Sequence, residues 1–323
     1  MKILKLEEKI MKFLDVKTDY AFKKVFGSVE NKDILISFLN SLIEFPNGYK
    51  IKDLTIVDPY NIPMLKGMKD TYVDVKAKLE DDSTVIIEMQ VLNHDGFEKR
   101  ILYNAAKNYG TQLVRGEDYT LLNPVIALTI VDFKMFKDID KYISKFKLLE
   151  KEKFIKYSDD IEMIFIELPK FNKTLEECEN LGEKWIYFIK NAENLTMVPK
   201  EIKGDKEITK ALEVINEAGL SEEELEAQYK RKEFISIQKL ALRKAINDGL
   251  NQGKRLGLEQ GLKQGLEQGL EQGLEQGLER GREEAKRKLA KNLLKMGLSI
   301  EQVVEASELS IEEVKKLKNI NEI

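Results

Sequence analysis

The chain has 323 residues, of which 42% are hydrophobic and 34% charged, with a formal net charge of −4. This is longer than one ordinary domain and apolar enough to build a core, while the slight acidity excludes an overall basic footprint, so any nucleic-acid contact must come from a local patch. Cys178 is the one cysteine, which excludes an internal disulfide and a cysteine-based zinc site and fits a reducing cytoplasm.

No run approaches the roughly 18 apolar residues that cross a bilayer, and residues 1–14 are too charged for a signal peptide, so a cytoplasmic protein is expected. Thr18 suits the N-cap of a helix over 19–26, with Gly27 as its stop. A second helix is expected over 31–43, closed by Phe45-Pro46-Asn47-Gly48, and a strand over 51–57. After a central hairpin, 95–114 reads as a helix, because Phe97, Ile101, Ala105, Tyr109 and Leu113 recur every four residues. Its other face carries Arg100, Asn104 and Lys107. Apolar runs at 124–131 and 161–168 complete a strand set with helices before and between, which is an α/β (α+β) sandwich.

From about residue 191 the chain becomes charged and helical. Glycine then recurs every four residues from Gly249 to Gly281, mostly as Gly-Leu-Glu-Gln. Nine glycines in a helix cost about 1 kcal/mol each relative to alanine. Their four-residue period exceeds 3.6, so the stripe drifts about 40° per repeat in a right-handed sense. Such a stripe suits either homo-oligomer formation or a spacer helix of low complexity. Its glutamates and glutamines exclude a membrane role. Gly297 stops a helix, Ser299 with Gln302 caps the next, and Ser310 with Glu313 caps the last. This spacing fits a helix-turn-helix with 311–318 in the recognition position, and equally a helical hairpin packed on itself. The organisation expected is therefore a domain at 1–190, a helical connector at 191–245, the tetrad repeat at 246–283 and a helical hairpin at 284–323.

The central hairpin carries the chemistry. In 72–80, Val73, Val75, Ala77 and Leu79 alternate with Asp74, Lys76, Lys78 and Glu80. In 85–91, Val85, Ile87, Met89 and Val91 leave Glu88 and Gln90 on the polar face. A three-residue loop, Glu80-Asp81-Asp82, pairs Leu79 with Ser83 and sets Asp74 opposite Glu88. Opposed β-carbons lie roughly 4.5–5.5 Å apart, and two carboxylates that close repel unless a cation or proton intervenes. Oxygen ligands in this geometry suit Mg2+ or Mn2+. A solvated strand face without an ion is the alternative.

Asp followed by Glu-x-Gln after a short hairpin resembles the core of the PD-(D/E)xK nucleases, with Gln90 where that group usually has lysine. The first 190 or so residues more narrowly resemble the Rpn family of recombination-promoting nucleases and transposases. The segments are Lys17-Thr18-Asp19-Tyr20-Ala21-Phe22-Lys23-Lys24-Val25-Phe26-Gly27, Asp74, Ile87-Glu88-Met89-Gln90, Arg100-Ile101-Leu102-Tyr103, Tyr109-Gly110-Thr111-Gln112-Leu113 and Pro124-Val125-Ile126.

The resemblance implies a restriction-endonuclease-like fold, with a mixed central sheet flanked by helices, followed here by a helical C-terminal extension. It also implies a metal-dependent DNA endonuclease that promotes recombination. It would place the ion on Asp74, Glu88 and the Met89 carbonyl, with Gln90 and Asp19 completing the catalytic set. Glutamine lacks the charge of lysine, and Lys76, Arg100 and Lys107 are candidates to supply it and to contact DNA. Two other readings remain: a DNA-binding or assembly protein that has lost hydrolysis at Gln90, and a structural protein dominated by the glycine repeat.

Overall fold

The computed structural model describes residues 11–61 and 71–320; most of the segment weighed above as a signal peptide lies outside them. Two compact units are formed, Met1–Leu240 and Ala241–Ile323.

The first unit begins with α1 (Asp19–Phe26), capped by the Thr18 side chain on the Ala21 N–H and closed at Gly27, and α2 (Lys32–Leu42). Strands β1 (Leu54–Val57), β2 (Tyr60–Asn61), β3 (Thr71–Tyr72), β4 (Val75–Leu79) and β5 (Thr84–Gln90) lead into helix α3 (Phe97–Gly110). Then come β6 (Val125–Val131), β7 (Ile143–Phe146), β8 (Ile161–Glu167), α4 (Leu181–Asn191), α5 (Lys206–Val214) and the start of α6 (Glu222–Lys295).

Six strands form one mixed sheet in the order β1-β4-β5-β6-β8-β7. The β5–β6 and β6–β8 pairs are parallel and the others antiparallel. Helices α1, α2, α4 and α5 cover one face around Phe22, Phe26, Phe38, Trp185 and Phe188, with ring centroids 4.5–5.8 Å apart. Helix α3 covers the other, setting Phe97, Ile101 and Ala105 on Ile86, Ala127 and Phe165. On β5 the polar face of the hairpin therefore lies under α3, and Glu88 is only 7% exposed, while Lys78 and Glu80 at the far end of the hairpin stay exposed. A central strand with helices on both sides reads as a continuous apolar run, as Val85-Ile86-Ile87 does.

No boundary falls at residue 190. The Leu14 N–H donates to the Ile215 carbonyl (3.0 Å), Phe13 bridges Asn216, and α5 packs on α2. The Thr18 hydroxyl reaches Gln228 on α6 at 3.2 Å. Residues 191–240 belong to this unit and are not a connector.

In the second unit the tetrad repeat is helical throughout, and a methyl group built on any of its nine glycines meets nothing within 4 Å. Leu258, Leu262, Leu266, Leu270, Leu274 and Leu278 are all exposed. Gly297 turns the chain with φ +85°, and α7 (Ile300–Ser307) and α8 (Ile311–Ile320) follow. Ser299 with Gln302 forms a complete capping box. Ala290, Val303, Leu309 and Val314 make a small core. Among the described residues no helix is long and apolar enough to cross a membrane.

Candidate active site

The β4–β5 hairpin has the register its loop dictates. The Leu79 N–H donates to the Ser83 carbonyl (2.9 Å), and Val75 pairs with Ile87. Asp74, however, is not a paired strand residue facing Glu88. Its N–H donates to the Ile87 carbonyl (3.1 Å), which already faces Val75, so two residues oppose one and the strand bulges. The bulge turns Val73 onto the α3 side with Ile86, away from the face of Val75. It also ends the ladder before Met89, whose N–H takes the Asp74 carboxylate instead, at 2.7 Å. In a strand, a residue's carbonyl points to the same side as its N–H, which directs the Met89 carbonyl along the edge where Asp74 sits.

Glu88 is fixed from α3. The Asn104 amide donates to Glu88 Oε1 (2.6 Å) and Arg100 Nη2 to Oε2 (3.3 Å). Arg100 also donates to Gln90 Oε1 at 2.9 Å, while Gln90 Nε2 donates to the Leu92 carbonyl at 2.8 Å. Arg100 and Asn104 stand four residues apart, one turn along the helix, so both reach the end of β5. On the opposite layer, Asp19 in the first turn of α1 meets Lys23 at 2.8 Å, and Lys23 lies 3.8 Å from Asp74.

Among the causes that raise these acids, the electrostatics record burial first and, at Asp74, a neighbouring acid second. Burial pushes the Asp74 carboxyl up to about 7; the Met89 N–H and Lys23 oppose this, and the charge of Asp19 adds to it. Burial likewise raises Glu88, against the pull of Arg100 and Asn104.

These groups line a cleft of about 340 Å³ that gathers Asp19, Asp74, Glu88, Met89, Gln90 and Arg100. His94, a turn residue after β5, stands at its rim. Lys76 and Lys107 do not line it. Lys76 opens onto a separate cleft with Lys78 and Asn108, and Lys107 is buried with its ammonium 6.0 Å from the Tyr103 ring centre. Seven residues separate Lys107 from Arg100, roughly 10 Å along the helix, which is too far to serve the same acids. Three contributors escape a reading of the sequence: Lys23, the grip of Asn104 on Glu88, and a wall made by Arg231, Phe234, Ile235 and Gln238 of α6. The four-residue spacings Asp19–Lys23 and Arg100–Asn104 are signals for the first two; the wall has no local signal.

The acids and the Met89 carbonyl offer the cleft oxygen donors, which suit a hard dication, and the His94 imidazole also lines it. Among the described residues no three His, Cys, Asp or Glu side chains converge into a cage. An ion here would thus combine one or two carboxylates with the Met89 carbonyl, water and substrate oxygens, the habit of Mg2+.

No curated protein and no solved structure matches the chain. The profile of the PD-(D/E)XK nuclease family transposases matches residues 16–245, a span that contains Asp19, Asp74, Glu88, Gln90 and the α6 wall. With more than half its length matched, this chain belongs to the PD-(D/E)XK nuclease family transposases.

Proposed function

We propose that the protein is a Mg2+- or Mn2+-dependent endonuclease that hydrolyses DNA phosphodiester bonds and so opens DNA for recombination. The observation that supports this reading is that Asp74, Glu88 and Met89 line one cleft, where the Asp74 carboxylate accepts from the Met89 N–H at 2.7 Å. The donors fit a divalent ion: they are oxygens, and burial with a neighbouring acid leaves Asp74 short of positive charge.

Asp74, Glu88 and the Met89 carbonyl would hold a divalent ion, which when bound would supply charge to the phosphate and acidify a water. Asp19 accepts a hydrogen bond from the attacking water and sets its direction. Arg100 takes over the charge that Gln90 lacks: its guanidinium already spans Glu88 and Gln90, and its side chain is 46% exposed, so that phosphate oxygens in the cleft can share it. Gln90 orients Arg100 by accepting from it. Asn104 holds Glu88 in place.

Supercoiled plasmid tests the reading. Nicking that requires Mg2+ or Mn2+, stops in EDTA, and disappears in Asp74→Ala and Glu88→Ala is expected. Equal cutting by those variants would overturn it.

For the second unit we propose self-association through the tetrad stripe. A helix that accepts about 1 kcal/mol per glycine and leaves a row of leucines exposed gains from close approach of a second copy.

A further inference from the structure

Arg231, Phe234, Ile235 and Gln238 of α6 face the acid cleft. They are spaced i, i+3, i+4, i+7, one face of a helix that would ordinarily be buried against its own domain. Here the face stands off. Phe234 is 49% exposed, and the cleft lies between it and the acids.

The gap does not come from a loosely held helix. α6 is tied to the unit by Lys24 to Glu224 (3.2 Å), Thr18 to Gln228 (3.2 Å), Lys232 to Glu193 (2.6 Å) and Lys239 to Asp132 (2.6 Å). These ties bracket the wall on both sides and hold Phe234 at a fixed distance from the acids. An aromatic ring kept exposed on a fastened wall, opposite buried carboxylates, is not serving the core.

Its neighbours suggest what it receives. The Arg231 guanidinium lies over the Phe234 ring, 5.6 Å from its centre, and among the described residues no carboxylate pairs with it. Across the cleft Tyr72 is 67% exposed, its ring stacked on Tyr60 at 4.7 Å. Exposed rings beside a cation form the surface on which unpaired bases stack while their phosphates are neutralised. In a duplex the bases stack on one another and offer no face to such a ring, unless energy is spent to flip one out.

We propose that the cleft takes a DNA strand whose base beside the cut is unpaired: the base stacks on Phe234, the adjoining phosphate meets Arg231, and the scissile phosphate reaches Asp74 and Glu88. The substrate class is then DNA that is single-stranded at the cut, as in tails, flaps and gaps. This rests on the nuclease reading above.

The test uses the full chain and two fluorescent DNA oligonucleotides of the same sequence, one fully paired and one with an unpaired flap. Binding is followed by anisotropy in EDTA, and cleavage in Mg2+. The wild type should bind and cut the flap in preference. Stacking on an aromatic side chain is worth about 1–3 kcal/mol per base, so Phe234→Ala should weaken flap binding roughly 5- to 150-fold and leave duplex binding unchanged. Phe234→Trp should retain it and Phe234→Leu fall between. Arg231→Ala should weaken flap binding and lower the salt slope by about one.

Equal loss on flap and duplex, no loss in Phe234→Ala, or an RNA strand cut in preference to DNA overturns the proposal. The two readings fail separately. Undiminished cutting by Asp74→Ala sinks the nuclease assignment, whereas the Phe234 effect on flap binding in EDTA needs no catalysis.

Discussion

Replacing Asp74 by asparagine keeps an oxygen for the Met89 N–H and removes only the charge. In the folded unit the Asp74 carboxyl is pushed up to about 7 from an ordinary 3.8, first by burial and then by Asp19. Between those values the folded chain binds the proton more tightly than the unfolded one, so the wild type loses stability as pH rises from about 4 to about 7. At about 1.36 kcal/mol per pH unit the loss approaches 4 kcal/mol by pH 8, less the share of Asp19, whose exposed side chain is screened by water. In metal-free buffer Asp74→Asn should therefore melt on the order of 10 °C above the wild type at pH 8 and close to it at pH 4.5. Trp185, the single tryptophan and fully buried, reports the melt by fluorescence. Adding Mg2+ at pH 8 should raise the wild type and leave the variant nearly unmoved. An equal gap at both pH values, or a variant less stable at pH 8, would refute the electrostatic account.

Three further outcomes are expected. Asn104→Ala should cost about 1–3 kcal/mol in urea melts by leaving Glu88 Oε1 buried without its donor, and should depress cleavage. Glu183 is pushed up by burial but held below the usual carboxylate range by Lys173 at 2.6 Å, the Glu179 N–H and the Tyr142 hydroxyl. Its stabilisation is present above that range and lost as pH falls through the lowered value, so Glu183→Gln should flatten the drop in urea midpoint between pH 5 and pH 3. Alanine at Gly261, Gly265 and Gly269 should raise helix thermal stability in circular dichroism by about 1 kcal/mol per site, since each methyl meets open space. In sedimentation the same variant should lose self-association; unchanged association would remove the glycines from the interface.

Local chemistry made much of the fold legible. Thr18 and Gly27 bracket α1, and the loop Glu80-Asp81-Asp82 sets the β4–β5 register, because caps and turns act over a few residues. The failures share a physical cause. The alternative of a solvated face at Glu88 and Gln90 overlooked Ile86 beside them, whose apolar side chain needs a cover that α3 supplies. Strict alternation carried through Asp74 missed the bulge, which no pattern of period two encodes. The boundary at 190 cut through α4, although Trp185, Ile186, Phe188 and Ile189 already read as a core face. The α6 wall joins residues roughly 150 positions apart, and only tertiary packing brings them to the acids.

The cleft sits where the two helical layers meet at one end of the sheet. Asp19 arrives with the layer of α1, Glu88 is fixed by α3 on the other, and Asp74 stands in the bulge between them. Neither layer alone carries all three acids. On the nuclease reading proposed above, a chain that has formed its helices and docked only one face would lack the assembled site, and cutting should report the last docking step. Mutations that loosen either layer, even far from the acids, should silence the chemistry before they erase the helical signal.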